Sequence, residues 1–144
     1  MGLEIVHRGQ HWLMQAIAST KVDDANNEVK TCELLQFLSE LSEDATYCKD
    51  VAKFYTYAER CCANPNGPKS LGVDICHDVH SWTDETGREV VLWQITAGGI
   101  RVVFFYEPGK LIICTHGFKK KRQKFDTAEG RHAETLWRNY CKSK

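Results

Sequence analysis

Arg101 and the run Lys119–Lys124 are the residues whose types and spacing suit chemistry on phosphate. Five of the six residues in that run are basic: Lys119, Lys120, Lys121, Arg122 and Lys124. An arginine forks two N–H bonds onto phosphate oxygens, and lysines add point charges. Arg101 opens the run IRVVFFYEPGK, and the cations follow the run LIICTHGF. In an antiparallel meander the start of one strand and the end of the next share a sheet edge, so these groups should meet. A lone strand arginine is often a solvated end, and a lone basic run a solvated face. Their convergence is what argues for a phosphate site, and it makes RNA the first substrate to consider.

His116 precedes the cations and reads as a turn residue between the last strand and the basic run. There it could carry a proton near neutral pH, or do nothing. Phe118 and Phe125 flank the cations and could stack on unpaired bases or pack against the closing helix. Lys121, Lys124 and Arg131 complete the candidate RNA-binding set. Cys76-His77-Asp78-Val79-His80 has the look of a metal motif. A tetrahedral zinc site needs a second converging ligand pair, and only Cys114 with His116 offers one. The reading is therefore no metal and no cofactor.

The elements that would carry these groups are legible in the periodicities. Leu34, Leu35, Leu38 and Leu41 mark a helix beginning near Glu28. Ser42, followed by two acids, reads as the N-cap of a second helix with Cys48, Val51, Ala52, Tyr55, Ala58 and Cys62 as its stripe. A short link makes the two helices an expected hairpin. Asn64–Pro68 ends the helical half. Val73–Trp82 reads as extended, and Asp84–Gly87 as a turn. Val90–Thr96, Ile100–Tyr106 and Leu111–Thr115 should form a meander through glycine turns, buried on most of both faces. Asp126 and Glu129 have capping-box spacing for a last helix whose residues Ala133, Leu136, Trp137 and Tyr140 meet the sheet. Trp12–Ala18 reads as a first strand and Lys21–Asn27 as a polar link. The expectation is one α+β domain over residues 1–144, a helical hairpin on a small antiparallel sheet with a C-terminal helix. Residues 1–27 form an extension of unassigned role.

Composition narrows the partners. The 144 residues have no net charge, yet residues 1–100 carry 8 Lys/Arg against 15 Asp/Glu, and residues 101–144 carry 11 against 4. That asymmetry points to an anionic partner for the C-terminal part. No apolar run approaches the ~20 residues that span a bilayer, and the N-terminus lacks the pattern of a secretory signal. The expectation is a cytosolic protein without a membrane partner, its seven cysteines reduced.

Beside these residues stands a resemblance. The succession LWQI, GIRVVFFY, EPGK and LIICTHGFKKKRQK, preceded by CELLQFLSEL and AKFYTYAERCCANPNG, resembles the HigB-like, phage-associated branch of the RelE/ParE toxins. It covers about Thr31 to Tyr140. The resemblance implies a RelE-like fold and the toxin of a type II toxin–antitoxin system, a ribosome-dependent mRNA endonuclease that needs no metal. In that chemistry the ribose 2′-hydroxyl attacks the adjacent phosphate and basic side chains stabilise the phosphorane. Arg101 would hold the phosphate, Lys119, Lys120 and Arg122 would stabilise the transition state, and His116 would be a proton carrier. The implied partners are the ribosome, mRNA and a cognate antitoxin of helix-turn-helix type. Leu92 and Gln94 stand where some relatives place lysines, and Phe125 stands where a tyrosine would donate a proton. Two alternatives remain open: a ParE-like gyrase inhibitor without chemistry, and a degenerate member that only binds RNA or antitoxin.

Overall fold

A computed structural model describes residues 1–121 and 123–144. Among the described residues the fold is α+β: a mixed seven-stranded sheet with three helices. Its strands are β1 (Gly2–Arg8), β2 (Leu13–Val22), β3 (Glu28–Cys32), β4 (Cys76–Thr83), β5 (Glu89–Ala97), β6 (Ile100–Glu107) and β7 (Leu111–Lys119). The helices are α1 (Glu33–Ser42), α2 (Cys48–Ala63) and α3 (Thr127–Lys142), with a short 3-10 turn at Gly67–Leu71. The strands run β1-β2-β7-β6-β5-β4, and β3 extends β2 as a hairpin.

The meander β4–β7 is antiparallel, as its alternating apolar runs and glycine turns require. The expected all-antiparallel sheet is corrected at one junction, where β2 lies parallel to β7 with Leu13–Ala16 beside Leu111–Cys114. The N-terminal segment is thus built into the sheet, and β1 and β3 add strands the periodicity did not reveal. The first helix starts at Glu33, later than expected, because Glu28–Cys32 pairs with Val22–Ala18. The turn between them is closed by Asp23, whose carboxylate accepts the N–H groups of Ala25 and Asn27.

Side-chain alternation divides the core in two. Met14, Leu34, Leu38, Phe54, Ala58, Ile95, Ile100, Val102, Phe104 and Cys114 join α1 and α2 to one sheet face. Ile17, Leu92, Val103, Phe105, Ile113, Ala133, Trp137 and Tyr140 join α3 to the other. Phe105 stacks on Trp137 with ring centres 4.5 Å apart. Burying each such large side chain contributes about 1.5–3 kcal/mol.

Two helix expectations are corrected. Ser42 ends α1, where its hydroxyl donates to the Ser39 carbonyl, and so it does not cap α2. In α2 the buried residue is Phe54, while Tyr55 is exposed, because the packed stripe runs Val51, Phe54, Ala58, Cys61, Cys62. Asp126 does cap α3, accepting the Ala128 N–H at 2.9 Å.

Candidate nucleic-acid interface

The strand ends at Cys76, Ala97, Ile100 and Lys119 lie together at one end of the sheet, and alternation sets which side chains face α3. On β6, Arg101 shares that face with Val103 and Phe105; on β5, Gln94 and Thr96 share it with Leu92. Register then forms two cross-strand rows. Thr96, Arg101 and Phe118 make one, and His77, Gln94, Val103 and His116 the other. Lys120, Lys121, Gln123, Lys124 and Phe125, which follow β7, border the same space as members of these rows.

The result is a cavity of about 260 Å³ on the α3 side of the sheet. Arg101, Lys119, Lys120, Lys121 and Lys124 line it together with Phe118 and Phe125. The expected convergence of the strand arginine on the lysines is therefore present. Arg122 lies outside the described residues. Arg131 sits exposed on α3 and does not line the cavity.

Arg101 is held rather than free. Its Nη1 donates to the carbonyls of Gly98 at 2.7 Å and Ile100 at 2.9 Å. Partial burial lowers the guanidinium pKa from its ordinary value, and the nearby Asp50 carboxylate opposes that shift. Asp50, in the first turn of α2, also accepts the Gly99 N–H at 3.0 Å, fixing the β5–β6 turn from which Arg101 departs. Gly98 in that turn has φ +59°, a left-handed conformation suited to glycine. The Lys119 ammonium lies 4.9 Å above the Tyr47 ring. Phe118 and Phe125 meet edge to face at 6.2 Å. They pack on each other and against the α3-side core, and both border the cavity.

His116 is corrected. β7 continues to Lys119, so His116 is a strand residue, only 5% exposed, and not a turn residue. A register shift between Val103 and Phe104 leaves Thr115 unpaired and turns His116 to the α3 face. Burial, aided by His132, lowers its imidazole pKa to about 3. It does not line the cavity. Its Nε2 lies 3.7 Å from Glu129 Oε1, and Glu129 does line it.

Sequence reading missed several lining residues: His77, Gln94, Thr96, Asp74 and Glu129. The parity of β5 carried the signal for Gln94 and Thr96, since both fall in phase with the buried Leu92. Gln94 is 7% exposed and its amide donates to the Thr96 hydroxyl at 3.3 Å. Three carboxylates, Asp74, Asp126 and Glu129, oppose five cations in the lining, so the cavity stays positive and gains groups able to take a proton.

The Cys76–His80 stretch is divided by the sheet. Cys76 and Cys114 lie in the α1/α2 core, while His77 faces the cavity and His80 lies beneath Gly130 of α3. Among the described residues no group of three His, Cys, Asp or Glu is arranged around a common metal position. All seven cysteines are free thiols. No helix among the described residues is long and apolar enough to cross a membrane.

The structure is an α+β domain with a cation-lined cavity at one end of a helix-covered sheet. Residues 36–138 match the family described as "Phage derived protein Gp49-like (DUF891)". The chain belongs to that phage-derived family, a RelE-like group of toxin–antitoxin systems. Among curated proteins none matches the chain.

Proposed function

We propose that this protein is the toxin of a toxin–antitoxin pair, HigB-like in type, and that it cleaves mRNA on the ribosome. The observation that carries this reading is the meeting of Arg101 with Lys119, Lys120, Lys121 and Lys124 in one cavity. Such a site can hold a phosphodiester and stabilise the extra negative charge of a phosphorane. Arg101 is anchored by two carbonyls, so it meets the phosphate in a preset orientation. The lysines supply a mobile positive field around it. Phe118 and Phe125 offer faces for the flanking bases. The partner that silences it is a co-expressed antitoxin, which the family membership supports.

Primer extension on cellular mRNA after induced expression tests this. The expected result is cuts in phase with the reading frame for the native protein and none for Arg101→Ala. Broken chromosomal DNA with intact message would overturn the nuclease reading in favour of gyrase binding.

A further inference from the structure

We propose that Glu129 is the general base of this cavity and that His116, buried behind it, positions its carboxylate. The inference rests on the nuclease reading above and names a residue for it.

Three carboxylates border the cavity, and their surroundings separate them. Asp126 is engaged in capping α3 through the Ala128 N–H. Asp74 is exposed, on the segment before β4. Glu129 is half-buried in the first turn of α3, facing the cation-lined space. Behind it stands His116, whose Nε2 has no hydrogen-bond partner among the described residues and lies 3.7 Å from Glu129 Oε1. The other ring nitrogen, Nδ1, is 3.2 Å from the Thr115 hydroxyl. With the Thr115 O–H donating to Nδ1, the neutral ring carries its proton on Nε2 and aims it at the carboxylate. The separation is longer than a hydrogen bond, and such contacts tighten when substrate fills a site.

The electrostatic setting suits the role. Burial raises the Glu129 carboxyl pKa, reinforced by Asp126 and by Glu33 of α1 and opposed by Lys121 and His132. A carboxylate made more basic is a better proton acceptor. His116 stays neutral, so it supports the carboxylate without competing for the proton.

The step balances without a further reagent. Glu129 takes the proton of the ribose 2′-hydroxyl, and O2′ forms a bond to phosphorus. The P–O5′ bond breaks, and a cavity ammonium protonates the departing 5′-oxygen. The products are a 2′,3′-cyclic phosphate and a 5′-hydroxyl. Water then removes the proton from Glu129 and returns one to the amine.

The test is single-turnover cleavage of mRNA on programmed ribosomes across pH, with native protein, Glu129→Gln, Glu129→Asp and His116→Gln. Circular dichroism confirms the fold of each. The native rate should rise with pH along an acid limb. Glu129→Gln should lose ~10²–10⁴-fold in rate and lose that limb. It should still bind mRNA carrying a 2′-deoxy substitution at the cut site. Glu129→Asp should recover part of the rate. His116→Gln should cleave and move the midpoint of the limb, which a merely structural role would not do. Native cleavage with Glu129→Gln matching it in rate and pH profile overturns the base assignment and leaves the nuclease reading standing. An unmoved limb in His116→Gln overturns the positioning role. No cleavage by native protein at any pH overturns the nuclease reading, and this inference with it.

Discussion

Arg101 and Phe118 are register partners on β6 and β7, so a guanidinium and an aromatic ring leave the sheet side by side on the face that α3 covers. Charge and stacking surface are therefore delivered by one cross-strand pair.

Replacing Arg101 by alanine should cost ~10²–10³-fold in cleavage rate, the usual cost of losing one preorganised donor at a developing charge. Arg101→Lys should restore only part, because a lysine cannot both bond the Gly98 and Ile100 carbonyls and fork onto phosphate. Single-turnover rates beside thermal midpoints check that the loss is not unfolding.

Neutralising Lys120 or Lys121 should weaken RNA binding at every sequence alike. Each change should reduce the slope of log affinity against log salt by about 0.7 for a single strand. Lys119→Gln should in addition destabilise the fold by about 0.5–1 kcal/mol, because its ammonium rests on Tyr47. Fluorescence anisotropy across a salt series and thermal melts distinguish the two effects.

Gly98→Ala should destabilise by about 1–3 kcal/mol, from a left-handed backbone combined with a collision against the Asp50 carboxylate. Asp50→Ala should relieve that collision yet lose the bond to the Gly99 N–H. The double variant should therefore be less destabilised than the two single losses added together. Urea unfolding of the four proteins measures the coupling.

Stability should fall in mild acid on account of His116. Unfolded, its imidazole binds a proton below the ordinary 6.5; folded, it resists one down to about 3. The contribution is complete above pH 6.5 and is lost as pH falls through that window, at up to about 1.4 kcal/mol per pH unit. Glu129, with its raised pKa, acts in the opposite sense and softens the decline. His116→Gln should flatten the curve, and thermal midpoints taken in steps between about pH 7 and pH 4 would show it.

The parts of the fold that sequence made legible are those with strong local signals. The runs of β5, β6 and β7 alternate between glycine turns, and Asp126 caps α3 as its type and position suggest. The cavity followed because antiparallel register brings Ile100 beside Lys119. What was hidden depends on distant chain. Glu28–Cys32 is exposed or half-buried throughout, with no buried stripe, and is a strand only because β2 pairs with it. The expected strand ends at Thr115, yet β7 runs on through Gly117, where the Phe37 ring packs against the position a side chain would take. The unpaired Thr115 leaves no trace in composition, and without it His116 could not be assigned a face. Glu129 was legible as a capping residue, whereas its approach to His116 depends on how α3 lies over the sheet.

The parallel seam between Leu13–Ala16 and Leu111–Cys114 also has a temporal consequence. During synthesis β2 emerges well before its seam partner β7, because α1, α2 and β4–β6 lie between them in the chain. The cations and Glu129 emerge later still. The cation-lined cavity therefore cannot assemble until β7 and the start of α3 have both emerged.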